Sequence, residues 1–411
     1  MSDTVNPALL GMNKIVSEDS ARRAVKKIEE EAGVAWLQNH LQDCCKPLLK
    51  TPWILDVDTT IKPLYGHQED AAKGYNPHKP GRPSHTYHTY MMANLRLILD
   101  VEVKAGDQSH SNHSLPGLLS LLNRLSADEK PELVRGDIGF GTDTVMSDLE
   151  AIDQSYLFKL KKSKNVTKLI YKHHGVGEWI SVRPGWEAKS DELVLQGWKE
   201  KRQVIIVRRQ VCSDRILGIE SPGGGHKQLS FIDGPEDMKA YEYSVLVTDQ
   251  KDVDLTTLFH HYRDRADCEN NFDELKNQWG WGGYTSKDVK SCRLMSRMIG
   301  LIYNWWNLYV RLAIPEQHHE AITSRPLLLS GIGRQTKHSD QKTITITSMH
   351  GKASKLAKAY QRLSGYFKEL KENAPQLTLG ECWQYLLQKI IDYFEKKTGL
   401  SDPPASLLPT G

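Results

Sequence analysis

The sequence is poor in cysteine, and its six cysteines are scattered at positions 44, 45, 212, 268, 292 and 382. None of them forms a Cys-x-x-Cys pair, so the pattern predicts neither a structural zinc site nor a disulfide framework. Intracellular proteins rarely carry disulfides, because their compartment is reducing. We therefore expect reduced thiols and a cytoplasmic location.

Long hydrophobic runs are also missing. No stretch of about 18 apolar residues occurs, as a membrane-spanning helix would require, and the N-terminus from Met1 to Asn6 does not resemble a signal peptide. The charge balance is weak as well, because 54 Lys and Arg against 51 Asp and Glu leave a formal net charge of +3. Such a small charge does not indicate nucleic-acid binding by itself, so any basic surface must be local.

The composition is otherwise that of a globular protein, with 39% hydrophobic and 26% charged residues. A chain of 411 residues is long enough for a sizeable core and for more than one domain. The function must therefore be sought in local patterns.

The most informative stretch runs from Tyr262 to Lys276, which contains no Gly or Pro and is predicted as one helix. At about 100° per residue, Tyr262, Arg265, Glu269 and Lys276 fall along one stripe. An ordinary i,i+4 pair would explain Arg265 and Glu269 but neither of the other two. The order suits a carboxylate that holds a metal ion, with groups on either side that bind phosphates.

Two further positions carry acids in unusual surroundings. The segment from Trp53 to Ile61 is predicted as a buried strand, and period-two alternation places Asp56 and Asp58 on one face. Buried carboxylates are costly unless paired or metal-bound; acids on an edge strand facing water are the alternative. Asp137 follows a short predicted strand in a Gly-Asp-x-Gly turn, where backbone freedom can aim a carboxylate, and Asp143 is a second choice.

The spacing Tyr-x2-Arg-x3-Glu-x6-Lys, the flank at 277–284 and the Gly/Pro-rich stretch at 74–84 together resemble one known group. The chain resembles the DDE transposases of bacterial insertion sequences, specifically the IS-four clan and its IS-thirteen-eighty branch. The resemblance runs from about Leu10 to at least Leu312.

This resemblance implies a role for each candidate residue. Asp58, with its neighbour Asp56 as the second choice, would be catalytic together with Asp137 and Glu269, and the three would bind two Mg²⁺ ions, with Mn²⁺ able to substitute. The resemblance assigns phosphate binding on DNA to the remaining members of the stripe, which are Tyr262, Arg265 and Lys276. It also implies cut-and-paste transposition, a hairpin intermediate on the element's end, transposon-end and target DNA as partners, a homodimer in the synaptic complex, and association with the bacterial nucleoid.

The expected fold is α/β, with a ribonuclease H-like mixed-sheet core interrupted by a β-rich insertion. The interval between Asp137 and Glu269 exceeds what such a core requires, which is why an insertion is predicted. The expected divisions are a helical region at 1–50, core segments at 51–164 and 237–330, the insertion at 165–236, and a helical region at 331–411 that contacts DNA or a second subunit.

Several surfaces are further candidates for DNA contact. The basic, aromatic stretch at 62–88 is either a DNA-binding loop or only a long ordered loop, and the basic side chains Arg22 and Arg23 either contact phosphates or face solvent. The insertion contributes cations and three indoles, among which the sequence does not choose: Lys161, Lys162, Lys164, Lys201, Arg202, Arg208, Arg209, Trp179, Trp186 and Trp198. The helix at 296–312 is expected to bury both of its indoles, and 333–345 is expected to be a polar loop.

Two other functions stay open. One is a two-metal nuclease of the same fold that cleaves without strand transfer. The other is a shortened DNA-binding relative that is inactive or inhibitory. It stays open because the resemblance implies a further helical region upstream of this chain's first residues. Inverted repeats flanking the gene would favour an active element.

Overall fold

A computed structural model describes most of the chain. The described residues are 16–50, 52–109, 111–210, 241–316, 318–329, 333–339, 341–346, 352–373 and 378–398. The sequence also predicts strands near residues 216 and 229 and a glycine turn at 223–225. These residues lie outside the described ranges.

Ten strands of the described residues form one mixed sheet. Their bounds are β1 Ile54–Pro63, β2 Ala72–Lys73, β3 Pro83–Met92, β4 Leu97–Ala105, β5 Leu133–Gly136, β6 Tyr156–Lys159, β7 Ile180–Arg183, β8 Trp186–Leu193, β9 Arg202–Gln210 and β10 Tyr241–Thr248. A separate hairpin consists of β11 Gly333–His338 and β12 Gln341–Ile346.

Helices pack around this sheet. Their bounds are α1 Glu18–Lys27, α2 Glu30–Asp43, α3 Ser111–Arg124, α4 Asp143–Glu150, α5 Lys164–His173, α6 Leu255–Arg263, α7 Ala266–Gln278, α8 Val289–Ala313, α9 Ala321–Leu329, α10 Ala353–Asn373 and α11 Leu379–Thr398. None of the described helices is both long and apolar enough to cross a lipid bilayer.

The strand order places β1 near the middle of the sheet. Three antiparallel strands run in the order β4-β3-β1, and β5 and β6 then continue parallel to β1. Strands on both sides satisfy the backbone of β1. Leu55 and Val57, on the face opposite Asp56 and Asp58, are fully buried in the core. The predicted α/β class with a mixed sheet is confirmed.

The region predicted as an insertion extends the same sheet. Strand β10 pairs antiparallel with β6, and β9, β8 and β7 follow in order beyond it. The described part of this region also contains α5. Its strands therefore continue the hydrogen-bonded ladder of the central strands, while the division of the chain into domains remains a prediction.

The long helix α8 fixes the outer strands of the core. Its Asn304 side chain accepts from the Ile98 backbone N–H at 2.8 Å and donates to the Ile98 carbonyl at 2.7 Å. The prediction that both indoles of this helix are buried is wrong for Trp305, which is 46% exposed. Trp306 instead packs inward and donates to the Ser324 hydroxyl at 2.9 Å.

Three local predictions need correction. The stretch from Tyr262 to Lys276 is not one helix, because α6 ends at Arg263 and α7 begins at Ala266. The predicted loop at 333–345 forms the β11–β12 hairpin, in which threonine and isoleucine alternate along β12. The predicted loop at 62–88 ends earlier than expected, because β3 begins at Pro83 and buries Tyr87.

Candidate active site

Asp58 lies in the middle of β1, and its side chain is only 16% exposed. One carboxylate oxygen accepts from the Thr59 backbone N–H at 2.7 Å, and the other accepts from the Arg265 guanidinium at 2.9 Å. Burial raises the pKa of Asp58 to about 6, against the opposing effect of Arg265; nearby Asp137 raises it further. Burial therefore disfavours the ionised form of Asp58, and the charge of Arg265 only partly offsets this loss of solvation.

Asp137 lies beside Asp58 because β1 and β5 run parallel. The register pairs Asp56 with Arg135 and Val57 with Gly136, so Asp137 follows next to Asp58 on the adjoining strand. Neighbouring strands are about 4.8 Å apart, and period two puts both acids on the face that Asp56 and Arg135 share. Asp58 and Asp137 thus lie close together. The residues that pair just before them, Asp56 and Arg135, are 79 positions apart in the sequence.

The turn after β5 holds Asp137 in place. Its carboxylate accepts from the Gly139 backbone N–H at 2.8 Å. A Cβ at Gly136 would lie 2.9 Å from the Phe140 ring, so the turn closes tightly only with glycine there. Asp143, the second choice for this role, begins α4 instead and pairs with Arg202 at 2.7 Å.

Asp56 has a different environment from Asp58. It is 1% exposed, and both of its oxygens bind the Arg135 guanidinium, at 2.6 and 2.7 Å. Arg135 also donates to the carbonyl of His261 in α6. Asp56 therefore belongs to an internal ion pair, through which Arg135 links β1 and β5 to α6.

The break between α6 and α7 changes how the predicted stripe is built. Tyr262 lies in the last turn of α6, and Arg265 lies in the connecting turn, where its backbone N–H binds the Tyr262 carbonyl at 3.2 Å. Both side chains still lie near Asp58, to which Arg265 donates directly. Burial raises the pKa of Tyr262 to about 12; Arg265 lowers it by a smaller amount, and Asp137 and Asp58 raise it. Burial opposes the charge of Arg265, yet the Asp58 carboxylate and other anionic groups leave its pKa raised.

Glu269 is the outlying member of the set. Its side chain is 72% exposed, and one oxygen lies 3.8 Å from the Arg265 guanidinium. The same guanidinium therefore stands between Glu269 and Asp58. The opposite face of α7 explains the helix position, since Cys268, Phe272 and Leu275 are buried in the core.

Lys276 lies two turns beyond Glu269 and is half-buried. Burial lowers the pKa of its ammonium, while Asp58 and Asp273 raise it. The end of α7 fixes its backbone, because Gly280 adopts φ +88° and the Gly282 N–H binds the Lys276 carbonyl at 3.2 Å. Five of the six predicted residues thus influence one another electrostatically, and Glu269 reaches the group through Arg265.

The donor chemistry suits a divalent cation. Asp58 and Asp137 offer adjacent carboxylate oxygens, which Mg²⁺ prefers as ligands. Within the described ranges, however, no group of three or more His, Cys, Asp or Glu side chains is arranged to hold a metal ion. Two aspartates fit a metal ion as they stand, and Glu269 would have to turn inward to join them.

Most of the candidate basic surface in the insertion region is neutralised internally. Arg202 binds Asp143 and Glu150 at 2.7 Å. Arg208 pairs with Glu187 at 2.6 Å and lies 4.0 Å from the Trp179 ring centre. The remaining pairs follow the same pattern: Arg209–Glu242, Lys201–Glu192, and the stacks of Arg209 on Trp186 and Arg202 on Trp198. Exposed lysines Lys161, Lys162 and Lys164 remain.

Sequence reasoning missed two buried cations. Arg135 precedes the Gly136-Asp137 turn directly, and its partner Asp56 is two residues from Asp58. The available signal was an arginine in one short predicted strand and a second acid in the other. Lys62, four residues after Asp58, is 5% exposed and donates to the Tyr87 hydroxyl at 3.3 Å and to the Tyr284 carbonyl. Nothing in its local sequence indicated this contact.

Paired carboxylates backed by buried cations define a site suited to phosphate chemistry. A family model described as "Transposase DDE domain group 1" matches residues 5–366. The chain therefore belongs to this transposase DDE domain family.

The other comparisons add less. Among solved structures, the chain is similar to a piggyBac transposase in a synaptic complex with hairpin DNA, at 11% identity and a TM-score of 0.34. The match covers 88% of this chain and 65% of that chain, so this protein spans less than two thirds of that transposase's length. None of the curated protein sequences matches this chain.

Proposed function

We propose that this protein is a DNA transposase of the IS-four type that moves a bacterial insertion sequence by cutting and joining. Membership of the DDE family supports the class of activity. The observation that carries the proposal is the meeting of Asp58, Asp137 and Arg265 at the centre of the sheet, with Tyr262 and Lys276 beside them.

The strand order supports a ribonuclease H-like core. Three antiparallel strands followed by two parallel ones, with α3 between β4 and β5 and α4 between β5 and β6, is the arrangement expected of that fold. It places the first acid on the central strand and the second at the carboxyl end of its parallel neighbour. Ligands of open α/β sheets commonly bind at such strand ends.

The residues divide the chemistry between them. Asp58, Asp137 and Glu269 would hold two Mg²⁺ ions, or Mn²⁺ in their place. Bound there, such ions would lower the pKa of an attacking water or 3′-hydroxyl and offset charge on the phosphate. Arg265, Lys276 and the Tyr262 hydroxyl bind neighbouring phosphate oxygens; Arg265 suits this role because its planar guanidinium presents several N–H donors to an anion.

The two proposed reactions share one geometry. In the first, a water oxygen attacks the phosphorus at the element's end, and the 3′ oxygen leaves as a hydroxyl. In the second, that 3′ oxygen attacks a target phosphorus and displaces a target 3′ oxygen, so each step makes one P–O bond and breaks one. A dimer in which two ends are held together, and a hairpin formed on the element's end, belong to this proposal.

The decisive measurement is Mg²⁺-dependent cleavage and strand transfer on a duplex that carries the element's own end. We expect Glu269→Gln, Asp58→Asn and Asp137→Asn each to reduce both products by roughly 100-fold or more, since even outer-shell changes cost about 10–100-fold. Asp252→Asn removes an exposed carboxylate before α6 and should leave both products unchanged. Equal activity in wild type and Glu269→Gln would remove Glu269 from the mechanism.

The exposed position of Glu269 favours a second candidate, a DNA-binding relative that does not cleave. Retained DNA binding with no product from any variant, wild type included, would establish it. Cleavage without joined product would instead indicate a nuclease of the same fold.

A further inference from the structure

We propose that the groove between α1 and the loop at 284–287 binds backbone phosphates of DNA, beyond the phosphates held at the candidate active site. This inference rests on the proposed function, because it assumes that DNA is the ligand of the neighbouring acids. It adds a site to those that the sequence motif indicated.

The groove has the size and charge for a polyanion. Its volume is about 640 Å³, and four of its lining side chains are cations: Arg22, Arg23 and Lys26 from α1 and Lys287 from the loop. Asp19 is the one acid among its lining residues. Phosphate groups are the ligands that such a cluster of ammonium and guanidinium groups favours.

These cations are available, unlike those of the insertion region. The side chains of Arg23, Lys26 and Lys287 are exposed. Among the described residues they make one hydrogen bond, which Arg23 donates to the Asp19 carbonyl at 3.2 Å. Arg22 pairs with Glu18, whose side chain is 77% exposed, so a phosphate oxygen can replace that carboxylate at little cost.

The groove is held rigidly on both sides. Arg22 also donates to the Thr285 carbonyl at 3.2 Å and lies 5.0 Å from the centre of the Tyr284 ring, which joins helix to loop. On the loop side, the Lys287 carbonyl accepts from the Glu69 N–H at 2.8 Å, and buried Lys62 donates to the Tyr284 carbonyl. A site whose walls are fixed in advance loses less entropy on binding.

The helix side is anchored to the protein core. The Lys290 ammonium, at the start of α8, donates to the carbonyls of Lys26 and Ile28 at 2.9 and 3.2 Å. Helix α8 in turn packs along α2 and β4. The cations of α1 therefore keep a fixed position relative to the sheet that carries the acids.

The loop that lines the groove lies close to Lys276 along the chain. The loop follows directly from the end of α7, where the Gly282 N–H binds the Lys276 carbonyl at 3.2 Å. A Cβ at Gly282 would lie 2.9 Å from that carbonyl oxygen, so this tight connection requires glycine. A duplex whose scissile phosphate lies at Asp58 and whose next phosphates lie at Lys276 would meet the loop and then α1.

The test uses adjacent lysines of one helix. Lys26 lines the groove and Lys27 does not, although both are exposed. Binding of the full chain to a fluorescein-labelled duplex of unrelated sequence is measured without Mg²⁺ by anisotropy, between about 50 and 200 mM salt. The variants are Lys26→Ala, Lys27→Ala and the triple variant Arg23→Ala/Lys26→Ala/Lys287→Ala.

Each phosphate contact adds about 0.9 to the slope of log affinity against log salt. We expect Lys26→Ala to lower the slope by about 0.9 and the triple variant by up to about 2.7, with Lys27→Ala unchanged. At about 0.1 M salt this corresponds to roughly tenfold weaker binding per contact. Thermal melting should be unchanged, because all the altered side chains are exposed.

Other outcomes would overturn the inference. Equal slopes for Lys26→Ala and Lys27→Ala, an unchanged slope in the triple variant, or no duplex binding by the wild type would each do so. None of these results depends on cleavage, so the acids can still prove catalytic if the groove is wrong, and the groove can bind DNA if the acids are inactive.

Discussion

Single residues of β1 show how differently one strand treats its ionisable groups. Asp56 is neutralised by Arg135, Asp58 shares Arg265 with Glu269, and Lys62 is buried and donates to the neutral Tyr87 hydroxyl and Tyr284 carbonyl. Burial disfavours the charged forms of the last two groups, since it raises the pKa of Asp58 and lowers that of Lys62. Stability given up in this way is common near functional sites.

Lys62 should make stability depend on pH in a predictable direction. Burial lowers its pKa from 10.5 to about 8. Between these values the unfolded chain binds more protons than the native one, so the native state gains stability as pH rises. From pH 7 to pH 9.5 the gain is about 2 kcal/mol for this one group.

The measurement is chemical denaturation of the wild type and Lys62→Met at both pH values. We expect the wild type to gain about 2 kcal/mol relative to the variant at the higher pH. Other titrating groups cancel in the difference. A constant difference between the two proteins would show that Lys62 titrates as an exposed lysine does.

Elements are joined at the site by the Asp56–Arg135 pair. It links β1 to β5 side by side, and Arg135 extends the link to the end of α6 through the His261 carbonyl. That end leads directly into the turn bearing Arg265. The geometry of the acids therefore depends on an internal ion pair beside them.

Removing one partner of this pair should cost more unfolding free energy than replacing both partners. Arg135→Met leaves Asp56 buried without a partner and should cost about 3–5 kcal/mol of unfolding free energy. The double variant Asp56→Leu/Arg135→Met removes both charges and should recover most of the loss, short of about 1–3 kcal/mol for the orphaned His261 carbonyl. Urea denaturation measures both.

The same double variant also tests the role of Asp56 in catalysis. We expect it to keep Mg²⁺-dependent cleavage when folded, because Asp58 is intact. A folded double variant without cleavage would contradict this expectation and show that the reaction needs the pair, through Asp56 itself or through the position of the turn bearing Arg265.

At the scale of the whole molecule, the acids lie on one continuous sheet, and helices pack on the faces of that sheet. Helices α1 and α2 pack on α8, which packs on β4, so the N-terminal helices are fixed to the same body as the acids. A ligand that binds the native acids should therefore stabilise the protein as a whole.

Metal binding should accordingly be visible in unfolding without any DNA. Mg²⁺ at about 100 times its dissociation constant stabilises a native protein by about 2.7 kcal/mol. We expect Mg²⁺ to raise the Tm of the wild type and of Asp252→Asn, and to leave that of Asp58→Asn unshifted. The same shift in all three proteins would mean that the ion binds elsewhere.

Sequence patterns predicted much of the fold because they depend on local physics. Apolar runs predict β1 and β5, and period-two alternation correctly places Asp56 and Asp58 on one face of β1. The errors fell where local signals are weak or are overridden. A stretch without Gly or Pro still breaks at Asp264 and Arg265, and the polar segment around 333–346 pairs with itself.

The sequence by itself determined which residues are candidates for chemistry, since spacing along a helix and alternation along a strand are properties of the chain alone. Only the tertiary structure decided which cation pairs with each acid. Asp56 and Asp58 share a face and differ by two positions, yet Arg135 from β5 reaches one and Arg265 from beyond α6 reaches the other. The reason is physical: the charge state of a buried group depends on the groups that packing brings to it, and those lie far away in sequence.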